Sequence, residues 1–70
     1  MSLLDTLADE LAQKALALAE KTDDEEVVKR VGEVIGASST TMEEAYLTAI
    51  RIRRAEGRAL ALLKELDPDG

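Results

Sequence analysis

One stretch constrains this chain more than any other: from Thr41 to Leu66 it meets no helix breaker. The stretch opens on Thr40-Thr41-Met42-Glu43-Glu44, where a hydroxyl twice stands three residues before a glutamate, the pattern in which two side chains satisfy each other's orphan amides at a helix start. It closes at Asp67-Pro68, because proline lacks an N–H and its ring collides with the preceding turn. About 25 residues at 1.5 Å each make a rod ~38 Å long. Whatever else the 70 residues form must cover that rod or leave part of it bare.

Two further helices precede it. From Ser2 to Lys21, Leu4, Leu7, Leu11 and Leu18 recur on one line of a 3.6-residue period, with Ser2 placed to cap. That line is the expected core-facing edge. Beside it runs a strip of Ala8, Ala12, Ala15 and Ala19, smooth enough for another backbone to come near, with Asp9, Gln13 and Glu20 opposite. Leu16 falls outside both lines, next to Asp5 and Asp9, and is a candidate for contact with a second subunit. Thr22-Asp23-Asp24-Glu25 matches a capping box and starts the next helix. Val27, Val31, Val34 and Ile35 form its apolar face with Val28 at the edge, and Glu25 and Glu26 stand four residues before Lys29 and Arg30. These core residues are β-branched, which also suits a strand, but the spacing of four, three and one fits a helix better. Gly36 sits where a left-handed C-terminal cap belongs.

The third helix does not carry one straight apolar stripe. Met42, Ala45, Ala49, Ile52, Ala59, Leu60 and Leu63 hold a central line, which Tyr46 and Ile50 widen on one side early, and Leu62 and Leu66 on the other side late. The two halves therefore meet different neighbours. A second helix of about 13 residues cannot cover a third of about 25, so the far half lies on the first helix or on another chain. The expectation is one all-α domain over 1–70: a three-helix protomer at about 3–21, 23–36 and 41–66, with short loops, packed in a helical-bundle oligomer.

Composition points the same way. A chain this short builds a core worth only about 3–5 kcal/mol, and small folds usually add disulfides, a metal or oligomerisation. There is no Cys and no His, which removes disulfides, the commonest metal ligand and the commonest general base. Of the 46% apolar residues, 11 are Ala, 11 are Leu and Tyr46 is the sole aromatic. Pairing with copies of itself is the easiest way to gain buried area. The net charge of −6 opposes attraction to phosphate backbones and anionic lipid. Apolar runs stop at five residues, far short of the ~20 that span a bilayer. MSLLDTLADE carries acids where a signal peptide carries basic residues. A soluble chain without targeting segment or membrane partner is expected, cytoplasmic if made in bacteria.

Several residues invite sharper readings. Val31-Gly32-Glu33-Val34-Ile35-Gly36-Ala37-Ser38, with Thr41, Met42 and Ile50, looks like the bacterial helix-turn-helix pattern, which implies a DNA-binding or regulatory module over 27–50. Glu43 and Glu44 stand where a reading helix needs Arg, Lys, Asn or Gln, so nucleic acid is not the expected partner. Arg51, Arg54 and Arg58 share a face without an acid four residues away; pairing with acids of another helix or chain is preferred to gripping phosphate. Glu56 lies on the central apolar line, where an unpaired carboxylate is expensive. A pocket acid or metal ligand is one reading; an ion pair with Arg53 or with another chain is preferred. Gly32 and Gly57 sit inside helices at a cost of about 0.5–1 kcal/mol each relative to Ala, which a close helix crossing would offset. Asp67-Pro68-Asp69-Gly70 is a helix stop and tail, and lacks the downstream Glu of a calcium loop.

The doubled capping boxes, short loops, Glu/Lys pairing, Leu/Ala core, absent Cys and His, and the ending LDPDG together resemble computationally designed small helical bundles and homo-oligomers. The resemblance implies a closed homo-oligomer whose role is self-association, without catalytic residues, cofactor, metal or small-molecule ligand. Leu16, Tyr46, Ile50, Arg53, Glu56, Gly57, Leu62 and Leu66 are its candidate interface residues. A helical adaptor that binds a partner helix along the alanine strip is a further alternative.

Overall fold

The computed structural model describes residues 2–69, which form three helices with no strand among them. α1 is Leu3–Thr22, α2 is Glu26–Ser38 and α3 is Thr40–Leu66. The all-α fold with its long third helix stands as the sequence implies. Gly70, the last residue of the expected tail, lies outside the described residues.

The helix ends differ from expectation in ways that local hydrogen bonding explains. At the start of α1, the Ser2 hydroxyl oxygen accepts from the Asp5 N–H at 3.1 Å and the hydroxyl donates back to the Asp5 carboxylate at 3.0 Å. Thr22 does not cap α2. Its hydroxyl donates to the Leu18 carbonyl at 2.8 Å, which ties it to the last turn of α1. Asp23 then takes the left-handed conformation, φ 52°, a role that a short polar side chain tolerates in place of glycine. α2 consequently begins at Glu26, whose N–H donates to the Asp24 carboxylate at 3.0 Å. Gly36 does not stop α2 either; no glycine among the described residues has positive φ, and the helix continues to Ser38. Ser39 alone makes the turn. Its N–H closes α2 on the Ile35 carbonyl at 2.8 Å while its side chain accepts from the Met42 N–H at 3.1 Å to open α3.

The core also inverts one expectation. The alanine strip, Ala8, Ala12, Ala15 and Ala19, is what α1 buries, in one cluster with Val28, Tyr46, Ala49 and Ile50. Leu7 and Leu18 of the leucine line are exposed, and Leu4 and Leu11 are half-buried. Large side chains on the neighbouring helices account for this, since a tyrosine ring and an isoleucine leave room on α1 only for methyl groups. On α2 the same shift puts Val28, expected at the edge, in the core, and turns Val34 to solvent. Neither expected ion pair along α2 forms among the described residues; Glu25 reaches Arg54 instead.

Tyr46 locks α2 to α3. Its ring is fully buried, and its hydroxyl donates to the Val28 carbonyl at 2.8 Å. A side chain at Gly32, one turn on, would tilt back over that carbonyl. A Cβ there would lie 3.3 Å from the Tyr46 ring. Gly32 thus marks a close approach of two helices, as its place in the sequence suggests.

The cluster covers only the first half of α3. Its last residues that are not exposed are Arg53 and Arg54, and everything from Ala55 to Leu66 is exposed. The far half therefore does not lie on α1. It projects from the body, and with α3 about 40 Å long it gives the molecule its 47 Å long dimension against 30 and 13 Å.

Candidate interaction surface

Two arginines mark where the body lets α3 go. Arg53 forks onto Asp9 of α1, with Nε at 2.8 Å from Oδ1 and Nη2 at 2.6 Å from Oδ2. The remaining nitrogen, Nη1, donates to Glu56 at 3.0 Å. Arg54 reaches Glu25, just before α2, at 2.6 Å. Adjacent residues on one helix thus hold both of the others. The planar guanidinium makes the two-point contact with Asp9 specific in direction as well as charge.

The electrostatics follow from that fork. Arg53 holds the Asp9 carboxyl below its usual value of 3.8; burial opposes the shift, and the Gln13 amide, donating at 2.9 Å, adds to it. The Asp9 and Glu56 carboxylates in turn push the Arg53 guanidinium further up. It stays a cation throughout.

Beyond the clamp the helix presents apolar side chains to solvent. Leu60, Leu62, Leu63 and Leu66 are 58, 52, 63 and 67% exposed, and Ile52, at the clamp, is 61% exposed. Together they form a bare apolar strip along one projecting helix, the kind of patch that soluble proteins leave where something binds. Next to its root, between the start of α1 and the first half of α3, runs an open groove of about 660 Å³. Ala45, Ala49 and Ile52 line it with Asp5, Asp9, Glu44 and Glu56. Among the described residues no cluster of three or more carboxylates could hold a metal ion, and no helix is long and apolar enough to cross a membrane.

The eight residues singled out from the sequence separate into two groups. Tyr46 and Ile50 belong to the protomer's own core, Leu16 packs half-buried against that core, and Arg53 is engaged with Asp9. A partner cannot reach the first two without opening the body. Glu56, Gly57, Leu62 and Leu66 lie on the projecting half and are exposed. Glu56 makes the ion pair with Arg53 that its sequence position suggests. Gly57 does not mark a crossing within the chain, because a Cβ there would meet nothing within 4 Å.

Leu60, Leu63 and Ile52 join the bare strip although periodicity alone places them on the central line, because it cannot say that the line runs past the end of the body. Of the basic face, Arg54 pairs with an acid of another segment as expected, while Arg51 and Arg58 make no ion pair among the described residues. In the first turn of α3, Glu44 is exposed and Glu43 is half-buried, with a carboxylate oxygen 2.5 Å from where a Cβ on Gly36 would stand. No protein-family model, curated protein or solved structure matches the chain.

Proposed function

We infer that this chain is a self-associating structural protein, a helical bundle completed by copies of itself and carrying no catalytic chemistry. The observation that carries the reading is the bare far half of α3, residues 55–66, with four exposed leucines. Twelve residues of helix without a neighbour lack the tertiary packing from which helices in proteins draw most of their stability. Leucines on such a segment gain about 1.5–3 kcal/mol each when taken fully out of water. A surface on another molecule supplies both needs. The resemblance to designed homo-oligomers supports the same occupant and suggests a designed origin, and the absence of Cys and His from the sequence supports a role without catalysis.

The other readings draw less support. An adaptor that offers its alanine strip has none to offer, since those alanines are interior. A DNA reader would bring Glu44 and a net charge of −6 towards phosphate. Light scattering coupled to size exclusion, run from about 1 µM to about 1 mM, a span that covers weak and moderate affinities, tests the inference. The expected result is a mass that rises with concentration to a fixed multiple of 7.6 kDa. A monomer across the whole range overturns it.

A further inference from the structure

The projecting half of α3 repeats at the spacing of a two-helix seam. Ala55, Ala59, Leu62 and Leu66 follow at steps of four, three and four, the alternation that keeps one line of side chains facing a partner helix. All four are exposed. On one flank of this line stand Arg58 and Glu65, seven residues apart, and on the other stand Glu56 and Leu63. Neither Arg58 nor Glu65 has an ion-pair partner among the described residues.

We propose that this seam takes the same segment of a second copy running antiparallel, about a two-fold axis that crosses between Leu60 and Ala61. The proposal rests on the self-association reading and adds its orientation and register. Side-chain size selects the arrangement first. In this register Ala55 faces the partner's Leu66 and Ala59 faces the partner's Leu62, and symmetry repeats both, so each layer holds one small and one large residue. A parallel pair stacks alanine on alanine in two layers and leucine on leucine in the next two, which leaves one end loose and crowds the other.

Charge selects it again. Antiparallel helices bring like flanks together, so Arg58 meets the partner's Glu65 on both sides of the axis and Glu56 meets the partner's Leu63, whereas a parallel pair sets Arg58 against the partner's Leu63 and forms no Arg58–Glu65 pair. The bodies add a third preference. Residues 2–54 carry eleven carboxylates against seven cations, and the antiparallel arrangement holds the two acidic bodies at opposite ends instead of side by side. The overlap is under two heptads, short of the about 3–4 that sustain a coiled coil alone. The pair therefore forms in the micromolar range, not the nanomolar.

Because the chain has no cysteine, cross-linking reads the orientation directly. Ala59→Cys and Leu62→Cys are prepared separately, both at exposed positions that the body does not use, and circular dichroism checks that each folds. They are then mixed in equal amounts and oxidised. The expected result is a mixed 59-to-62 disulfide well above its statistical share, with little of either self-linked species. Self-linked products at or above their statistical share overturn the antiparallel arrangement while leaving self-association standing. A chain that stays monomeric in light scattering removes both.

A second readout does not depend on disulfide geometry. Arg58→Glu or Glu65→Arg alone weakens the dimer about tenfold, from two lost and two repulsive exposed pairs, and the double variant recovers most of the loss. Failure of the double variant to recover contradicts the register.

Discussion

Tyr46 decides more about the body than any other side chain. It is the only aromatic residue, it is fully buried, and its one polar atom is satisfied at 2.8 Å by a backbone carbonyl of the facing helix. Tyr46→Phe keeps the ring and loses that bond, while the Val28 carbonyl remains within the ladder of α2. Urea unfolding should show a loss of about 0.5–1.5 kcal/mol, the net worth of one hydrogen bond. Titration gives a second handle at this scale. Burial raises the Tyr46 hydroxyl above its ordinary value of 10.0, so its contribution is complete below pH 10 and is lost as the pH climbs through the higher folded-state value. Asp9 has the opposite sign. Its carboxyl is held below 3.8 by Arg53, so the fork contributes fully above that pH and is lost as the pH falls through the lower folded-state value. Unfolding midpoints measured against pH should therefore fall at both limbs, with Asp9→Asn flattening part of the acid limb and Tyr46→Phe part of the alkaline one.

At the scale of elements, the sequence revealed which segments are helices and how long they are, because capping chemistry and period-3.6 patterning act locally. Where it misled, two adjacent choices were locally equivalent. On α1 the leucine line and the alanine strip are both apolar and neighbouring, and only the size of what arrives from the other helices, a tyrosine ring and an isoleucine, decides that the alanines go inside. Thr22 sits at a position where its hydroxyl can close one helix or open the next, and it closes α1. The capping pattern points to Thr40 and Thr41, but Ser39 just before them carries the same hydroxyl and takes the cap, so α3 begins at Thr40. The candidate surface was half legible. That the far half of α3 outruns α2 follows from comparing helix lengths, while the same lengths left α1 as a possible cover that the structure does not use. Which apolar residues end up bare depends on where the body stops, a boundary marked by the fork of Arg53 on Asp9, a contact across 44 positions of sequence that no periodicity encodes.

The molecule as a whole is a small three-helix body with a projecting apolar arm. The body satisfies itself: Ser2 and Ser39 cap α1 and α3, the Asp24 carboxylate accepts from the first N–H of α2, and among the described residues no buried side-chain polar atom lacks a partner. Every residue of the arm, 55–66, is exposed, and a second copy is the proposed source of its stability. Amide hydrogen exchange followed residue by residue at increasing protein concentration tests that assignment most directly, because local opening of the arm is separate from opening of the body. Protection at residues 55–66 is predicted to be weak in dilute solution and to grow with concentration, while protection across Ala8 to Ile50 stays constant. Protection of the arm that does not change with concentration would contradict the account.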